Sequence, residues 1–324
     1  MSIPVYIEKM NALAMLQVPY IFIIDYSTQH AIIKPICEIN PNEIQFSVNG
    51  ITNISNITDE VSLTPLLFQK HPISLAAYSQ SFGIIMDNLQ KGNSYLSNLT
   101  CETPIETNLS LKQIFIKSKA PYKLWYNNQF VVFSPEIFVK IHDGKIMSFP
   151  MKGTIDAAFI DAEKTILQNK KEMAEHATIV DLIRNDLSKV SSNVKVDRYR
   201  YFDSIKTNEG ELLQVSSQIS GDLPENYRQN LGSILFELLP AGSICGAPKK
   251  KTLEIIASAE QHIRGFYTGV FGIFDGKNLD SAVMIRFIEN KNGKLVYKSG
   301  GGITANSVLE EEYKEMVQKV YLPI

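Results

Sequence analysis

Lys152 lies in the stretch "FPMKGTID", between an apolar approach and a Gly-Thr pair, and Glu136 of "FSPEIF" precedes it by sixteen residues. A glutamate and a lysine that face one pocket could supply a proton donor and an amine nucleophile, if burial shifts each group toward its neutral form. An ordinary salt bridge is the alternative. Composition does not choose between these two interpretations.

Two pairs of glutamates have the spacing ExxE, Glu172 with Glu175 in "KEMAEH" and Glu312 with Glu315 in "EEYKE". Both pairs fall in segments predicted to be helical, where residues three apart share a face. Carboxylates placed in this way can coordinate Mg²⁺, a hard cation that prefers oxygen ligands. A solvated helix surface is the alternative, because short motifs of this kind have low specificity.

The run "KSGGGITANS" has three successive glycines, Gly300, Gly301 and Gly302, after a predicted strand and before the acidic helix. Glycines allow backbone N–H groups to converge on an anion without obstruction by side chains. A flexible turn is the alternative. A nucleotide-binding P-loop of the usual form is excluded, since GxxxxGK[ST] does not occur.

Arg286 stands in the apolar run "SAVMIRFI", which we predict to be a strand. An arginine in such a position either reaches solvent at an edge or pairs with an anion, and its planar fork suits a carboxylate. Both outcomes stay open at this point.

The overall charge is close to balanced, with 32 basic and 34 acidic side chains and a formal net charge of -2. This balance argues against nucleic acid or an acidic membrane as a partner, and the three consecutive lysines Lys249, Lys250 and Lys251 do not form an extended basic face. Cys37, Cys101 and Cys245 are widely spaced and suggest neither a disulfide framework nor a zinc site. With no export signal and no membrane-spanning run apparent, we expect a cytoplasmic protein.

The periodicity of the chain predicts an α+β fold. Up to about residue 150, short β-rich runs such as "YIFIIDY" and "FVVFSPEIFVKI" alternate with turn-rich stretches, and a helix is predicted near residues 77–91. A long helix, or two joined helices, is predicted from Asp156 to about Leu187, because this segment lacks glycine and proline.

The C-terminal part predicts a strand in "GELLQVSSQISGDL", a helix ending at "LLPAG" and a second helix after the proline of "GAPK". The following segment, 265–303, alternates around "DGKN" and "KNGK" and predicts a meander of three antiparallel strands. A final helix, "LEEEYKEMVQKVY", follows. No shift in composition marks a linker, so residues 1–324 are predicted to form a single interwoven domain.

From about Gly92 to the C-terminus the chain resembles the chorismate-utilising enzymes, which include anthranilate synthase component I, aminodeoxychorismate synthase component I and isochorismate synthase. The matching stretches occur in the same order as in the family: "GNSYLSNLT", "SPEIF", "PMKGTID", "AEHATIVDLIRNDLSKV", "SSQISGDL", "PAGSICGAPKKKTLEII", "RGFYTGVFGIFDG", "LDSAVMIRF" and "GGGITANSVLEEEYKE". The resemblance makes residues 92–324 the family core and residues 1–75 a shortened, weakly matched N-terminal part. It implies an α+β sandwich of two antiparallel sheets flanked by helices, with the site between the sheets.

The resemblance also implies roles for the two residues first considered. Aminodeoxychorismate synthases typically have lysine at the position of Lys152, whereas anthranilate and isochorismate synthases typically have alanine. Lys152 is therefore expected to attack ring carbon C2 of chorismate, forming a covalent adduct that ammonia resolves at C4. Glu136 is expected to protonate the departing C4 hydroxyl, which requires a carboxyl kept protonated by its surroundings.

The remaining site residues are implied in the same way. Glu175 and Glu315 match the closest ligands of one Mg²⁺ that holds the ring carboxylate of chorismate, and Glu172 and Glu312 match their neighbours. Arg286, Tyr267 and the amides of Gly301 and Gly302 match positions that hold the enolpyruvyl carboxylate, and Thr154 matches a residue that lines the ring site.

Three positions depart from the family pattern. Leu96 occupies the place where isochorismate and salicylate synthases have a lysine base that activates water, so attack by water is not expected. Phe287 replaces the threonine of the usual "IRT". The histidine that many members have ahead of the "PAG" segment has no counterpart, and Arg228, the nearest candidate, is assigned no role.

The resulting expectation is aminodeoxychorismate synthase component I, which converts chorismate to 4-amino-4-deoxychorismate on the route to p-aminobenzoate and folate. The chain has no nucleophile cysteine in a Gly-x-Cys-x-Gly turn, so a separate glutamine amidotransferase subunit is expected to supply ammonia. The alternatives are anthranilate synthase component I and a catalytically silent chorismate-binding subunit.

Overall fold

The computed structural model describes residues 3–54, 65–207 and 210–324. The helices are α1 (Ile3–Met15), α2 (Leu75–Gln90), α3 (Leu111–Lys117), α4 (Ala162–Gln168), α5 (Lys170–Ser188), α6 (Leu231–Leu238), α7 (Lys249–Ala259) and α8 (Leu309–Gln318). The strands are β1 (Tyr20–Ile24), β2 (Ala31–Pro35), β3 (Ile44–Val48), β4 (Ile51–Thr52), β5 (Phe68–Lys70), β6 (Leu96–Thr107), β7 (Tyr122–Tyr126), β8 (Phe130–Ser134), β9 (Ile137–His142), β10 (Lys145–Ser148), β11 (Met151–Asp156), β12 (Ser192–Thr207), β13 (Gly210–Asp222), β14 (Gly246–Ala247), β15 (Val270–Phe274), β16 (Leu279–Val283), β17 (Phe287–Lys291) and β18 (Lys294–Ile303).

The described strands form two antiparallel sheets. The first sheet has the order β11-β13-β10-β9-β16-β15-β1-β2, and β12 also pairs with β13. The second has the order β14-β6-β18-β17-β8-β7-β3-β4, and β5 also pairs with β6. The α+β architecture of two antiparallel sheets with flanking helices is therefore confirmed.

The two sheets pack face to face, so the central strands of the first sheet are buried on both sides. In β1, Ile21 and Ile23 pack in a cluster with Phe46 and Phe287 of the second sheet, whereas Tyr20 belongs to a cluster with helices α1 and α6. Side chains along a strand alternate between its faces, which is why β1 reads as the uninterrupted apolar run "YIFII". Full burial of each such side chain stabilises the fold by about 1.5–3 kcal/mol.

Helices cover the outer face of each sheet. Met10 of α1 and Leu235 of α6 belong to the cluster on the first sheet. Phe82 of α2 and Met316 of α8 pack with Leu99 of β6 on the second sheet. The layers thus follow the order helix, sheet, sheet, helix.

Two of the places where the chain passes from one sheet to the other lie side by side. The step from β8 to β9 crosses at Glu136, and the step from β16 to β17 crosses at Arg286. The two crossings are hydrogen-bonded to each other, from Phe133 N to Arg286 O at 3.1 Å and from Val283 N to Glu136 O at 3.1 Å.

The predicted three-stranded meander over 265–303 is therefore wrong. This segment forms two hairpins, β15–β16 in the first sheet and β17–β18 in the second. The break falls at Arg286, whose φ is +53°, so this residue lies between strands rather than inside one. Val283 and Met284 are buried through the crossing, and an unbroken apolar run hides the change of sheet.

The helices predicted near residues 77–91, after "GAPK" and at the C-terminus are confirmed as α2, α7 and α8, and the helix predicted to end at "LLPAG" is α6. The helices predicted from Asp156 are α4 and α5, but α4 begins only at Ala162, because Asp156 is the last residue of β11. Helices α1 and α3 and the long strand β12 were not predicted. The sequence of β12 nevertheless alternates apolar and polar residues in "VKVD" and "RYRY", and Val194 and Val196 pack against the core, so a strand signal was present.

The N-terminal strands pair with strands of both sheets. β1 pairs with β15 of the C-terminal part, and β3 pairs with β7 of the second sheet. No helix in the described ranges is long and apolar enough to cross a membrane.

Candidate active site

A cavity of about 550 Å³ lies beside the two crossings and is bordered by β11, α5, β18 and α8. Its volume suits a small organic molecule. The lining includes ten of the residues that the sequence singled out: Glu136, Lys152, Glu172, Glu175, Tyr267, Arg286, Gly301, Gly302, Glu312 and Glu315. The structure therefore brings these candidates together at one site. Thr154 lies in β11 as well, but its side chain is outside the described part of the structure.

Lys152 extends from β11 toward α5 and β18. Its Nζ lies 3.3 Å from Glu175 Oε2, and its side chain is 25% exposed. A Cβ on Gly302 would lie 3.2 Å from the same Nζ, so the absence of a side chain at Gly302 leaves room for the amine. The following residue, Gly153, has φ +84°, a conformation that other residues rarely adopt.

Glu136 lies at the crossing from β8 to β9, where its backbone is fixed on both sides. Its N–H donates to Ser134 Oγ at 3.1 Å, and its carbonyl accepts from Val283 N. Burial raises the pKa of the Glu136 carboxyl, although the hydroxyl of Ser243 and the charges of Lys152, Lys319 and Arg286 oppose that shift. The balance of these effects favours the protonated form more than in water.

Arg286 lies at the second crossing and is only partly paired. Its Nη1 donates to Lys319 O at 2.9 Å, and its guanidinium lies 4.9 Å from the ring centroid of Tyr321. Its Nε is buried and has no hydrogen-bond partner among the described residues. A buried donor of this kind favours an anionic ligand with oxygen acceptors.

The two ExxE pairs approach the cavity from helices α5 and α8, as their spacing predicts. A Cβ on Gly153 would lie 3.3 Å from Glu172 Oε2, and one on Gly301 would lie 3.6 Å from Glu315 Oε1 and 3.7 Å from Glu312 Oε2. Burial of these carboxylates is uneven: Glu312 is buried, whereas the Glu315 side chain is about half exposed.

The carboxylates already have partners in the structure. Glu175 pairs with Lys152, Glu315 Oε1 lies 2.6 Å from Lys319 Nζ, and Glu312 accepts from Ser307 Oγ at 2.6 Å. Within the described ranges, no three His, Cys, Asp or Glu side chains lie close enough together to hold a metal ion as they stand. The donor chemistry nevertheless fits Mg²⁺, because carboxylate oxygens approach one cavity from two helices and two of them hold cations there.

Comparison with known proteins identifies the family. Residues 20–323 match the family model described as chorismate binding enzyme. The chain belongs to the chorismate-binding enzymes. An uncharacterized PabA-like protein of Pasteurella multocida is 51% identical to it over 324 residues, which is 100% of both chains.

More distant relatives carry named activities. Aminodeoxychorismate synthase component 1 of Bacillus subtilis is 29% identical over 265 residues, 77% of this chain and 55% of the relative. Anthranilate synthase component 1 of Aquifex aeolicus is 33% identical over 195 residues, 57% and 38% of the two chains. This chorismate-binding enzyme thus spans about half the length, or less, of these two relatives.

A solved structure has the same fold. Anthranilate synthase component I from Streptococcus pneumoniae superposes with a TM-score of 0.67 at 25% identity, covering 81% of this chain and 60% of that one.

Two sequence-based interpretations need correction. Gly300, Gly301 and Gly302 lie inside β18, paired with β6, so they form neither a turn nor a loop after a strand. The carboxylate that pairs with Lys152 is Glu175, not Glu136, so the predicted alternative of an ordinary salt bridge between Lys152 and Glu136 does not hold.

Two further residues of the site, and one buried residue beside it, were not predicted. Lys319 follows Glu315 by one helical turn, donates to Gly300 O at 3.0 Å and lines the cavity; the i, i+4 spacing was an available signal. Ser243 donates to Glu136 Oε1 from a loop far away in sequence, which no spacing could reveal. His176, next to Glu175, contacts Ser217 Oγ at 2.7 Å through Nε2, and burial lowers the pKa of its imidazole to about 4.

Proposed function

We propose that the chain is the ammonia-using component I of aminodeoxychorismate synthase, which converts chorismate to 4-amino-4-deoxychorismate. The observation that carries the proposal is the position of Lys152, whose amine lines the cavity beside Gly302 and close enough to Glu136 to influence its carboxyl. An amine nucleophile and a carboxyl with a raised pKa at one cavity suit an addition coupled to the loss of a hydroxyl.

In the first step, Lys152, once its ammonium group has given a proton to solvent, forms a C–N bond to ring carbon C2 while the ring double bonds shift and the C4–O bond breaks. Glu136 gives its proton to the departing hydroxyl, which leaves as water. Glu175 pairs with the Lys152 amine at 3.3 Å and fixes its position before attack. In the second step, ammonia forms a bond to C4, the double bonds shift back, and Lys152 leaves C2 with the electron pair. The ammonium group now attached to C4 returns a proton to Glu136. In total, chorismate and ammonia are converted to aminodeoxychorismate and water.

We assign residues that line the cavity to the binding of the two carboxylates of chorismate. Arg286, with its unpaired buried Nε, is our candidate for the enolpyruvyl carboxylate, together with Tyr267 and the amides of Gly301 and Gly302. Four glutamates would repel a dianion unless a cation intervened. Bound Mg²⁺, which Glu175 and Glu315 would hold with Glu172 and Glu312 beside them, would supply that positive charge to the ring carboxylate.

Leu96 supports ammonia over water as the incoming nucleophile. This side chain is 3% exposed, and its Cδ1 would lie 3.1 Å from a Cβ on Gly302, which is the same glycine that Lys152 approaches. An aliphatic group here cannot activate water as the lysine of isochorismate synthases does.

The ammonia is proposed to come from a separate glutamine amidotransferase. Burial raises the pKa of Cys101 to about 12 and that of Cys245 to about 11, so neither thiol has the thiolate character of a glutaminase nucleophile. The proposal places the enzyme in the cytoplasm, on the route to p-aminobenzoate and folate.

Anthranilate synthase component I is the second candidate, because a relative of that name is 33% identical over 195 residues. It would share the cavity and additionally eliminate pyruvate. Lysine rather than alanine at position 152 favours the first candidate.

Product analysis separates the candidates. Purified chain is incubated with chorismate, Mg²⁺ and ammonium at mildly alkaline pH, and products are identified by mass spectrometry with and without aminodeoxychorismate lyase. We expect aminodeoxychorismate, which the lyase converts to p-aminobenzoate. Anthranilate would replace the proposal with the second candidate, and a lack of turnover would support a silent chorismate-binding subunit.

A further inference from the structure

Ser243 directly contacts the carboxyl that the proposed reaction uses as its acid. Its hydroxyl donates to Glu136 Oε1 across the 107 residues that separate the two in sequence. Ser243 lies in a short helical turn, Gly242–Ile244, in the loop between α6 and β14, and it lines the cavity.

The turn that carries Ser243 is held rigidly on several sides. Ile244 O accepts from Arg264 Nη1 at 2.9 Å, and Cys245 O accepts from Asn98 N at 2.8 Å. A Cβ on Gly242 would come within 3.0 Å of Asp186 Oδ2, so the turn packs closely against α5. The hydroxyl of Ser243 is therefore presented from a fixed backbone.

Glu136 is surrounded by cations as well as by this hydroxyl. Lys152 approaches from β11, Lys319 follows α8, and Arg286 occupies the neighbouring crossing. These charges favour the carboxylate but do not fix the plane of the carboxyl group, whereas a hydrogen bond to Oε1 does.

We propose that Ser243 is the positioning residue of the acid Glu136: its hydroxyl fixes Oε1 and stabilises the carboxylate that remains once the proton has gone to the departing hydroxyl. This inference rests on the proposed function. A donor to the ionised form strengthens as negative charge develops, so its contribution is largest during proton transfer. The same donor also opposes the upward shift of the Glu136 pKa that burial causes.

The test compares Ser243→Ala, which removes the hydroxyl, with Ser243→Thr, which keeps one. For Ser243→Ala we expect kcat to fall roughly 10- to 100-fold, the range of a hydrogen bond to a charged group, with little change in KM for chorismate. Ser243→Thr should recover most of the loss. A rise in KM alone, or a loss of kcat that threonine leaves unchanged, would overturn the proposal.

A titration that needs no turnover gives the second readout. We follow the infrared band of the protonated Glu136 carboxyl as a function of pH, without substrates. The band is identified by subtracting the spectrum of Glu136→Gln. Because the lost donor stabilised the carboxylate, the band should persist to higher pH in Ser243→Ala than in the parent, and Ser243→Thr should restore the parent curve. An unchanged curve in Ser243→Ala would overturn the proposal, and this result does not depend on which product the enzyme makes.

Ser81→Ala is the matched control for loss of a buried hydroxyl. Ser81 Oγ donates to Ala259 O at 2.7 Å and ties α2 to the end of α7, outside the cavity lining. It should leave the Glu136 band unchanged. A shift equal to that of Ser243→Ala would show that general loosening of the fold, rather than the contact with Glu136, moves the carboxyl, and the proposal would fail.

Discussion

Two groups of buried charges in this protein differ in how completely they are paired. Arg264 donates through Nε and Nη2 to both oxygens of Glu260 at 2.8 and 2.7 Å, and its other donors reach the carbonyls of Ile244 and Asn98. In the cavity, Arg286 donates through Nη1 to Lys319 O, and its buried Nε has no hydrogen-bond partner among the described residues.

The complete pairing around Arg264 indicates a structural role, whereas the incomplete pairing around Arg286 indicates a functional one. A buried charge is tolerated when every donor finds an acceptor, as around Arg264, and such a site has nothing left to offer a ligand. Around Arg286, burial raises the pKa of the Glu136 carboxyl while the neighbouring cations oppose that shift, and these groups border a cavity of about 550 Å³. Incomplete pairing of this kind is a feature of functional sites.

Lys152→Ala should show the largest effect, and on activity alone. Removal of the proposed nucleophile should lower kcat by more than about 10³-fold, because the remaining groups cannot form the proposed covalent intermediate. Lys152→Arg keeps the charge beside Glu175 and should be equally inactive. Steady-state assays give the rates, and thermal unfolding should show that both variants stay folded. Substantial turnover by either variant would remove Lys152 from the mechanism.

Arg264→Met should have the opposite profile, with its main effect on stability. It leaves Glu260 buried without its partner, and breaking such a pair lowers the free energy of unfolding by about 3–5 kcal/mol. Urea titration measures the loss, and the double variant Arg264→Met/Glu260→Leu should recover part of it. If Arg264→Met is as stable as the parent, the contrast between the two charge groups is wrong.

Glu136→Gln should affect activity and stability in opposite directions. Loss of the proposed acid should lower kcat by about 10²- to 10⁴-fold. Because burial raises the pKa of Glu136, the native state binds its proton more tightly than the unfolded chain, and stability falls as pH rises above the unfolded pKa.

Glutamine cannot ionise, so the Glu136→Gln chain should melt at a higher temperature than the parent at neutral pH. The gap should close below the ordinary carboxyl pKa of about 4.3. Melting curves across pH check this sign, and a gap that widens in acid would contradict the raised pKa.

Glu315→Gln should have the smallest effect of the four. A neutral amide is a poorer ligand for Mg²⁺ than a carboxylate, and we expect roughly tenfold weaker binding of Mg²⁺ in the presence of chorismate. Calorimetry compares it with Glu311→Gln, an exposed glutamate on the same helix. Equal affinities in the two variants would exclude Glu315 from the metal site.

The sequence predicted the parts of this molecule that depend on local pattern. The helices that carry Glu175 and Glu315 follow from composition and ExxE spacing, and the family motifs select Lys152 and Glu136. Long-range relations were less accessible. The change of sheet at Arg286 is hidden because both sheets bury the same apolar run, and the contact of Ser243 with Glu136 arises only when two distant loops meet.

Two elements that were not predicted nevertheless have a local signal in the sequence. Tyr6, Met10 and Ala14 of α1 are buried and spaced four residues apart, a helical signal that was present in the sequence but overlooked. β12 likewise has an alternating pattern at Val194 and Val196, which pack against the core, and it pairs along its length with β13.

The most direct test of the central claim is to trap the covalent intermediate. The chain is incubated with chorismate and Mg²⁺ without ammonia, denatured, and mapped by peptide mass spectrometry beside Lys152→Arg. We predict an adduct of chorismate less one water on the peptide that contains Lys152, absent from the variant and discharged when ammonia is added before denaturation. An adduct on another residue, or aminodeoxychorismate formed by the Lys152→Arg chain, would contradict the assignment of Lys152 as the nucleophile.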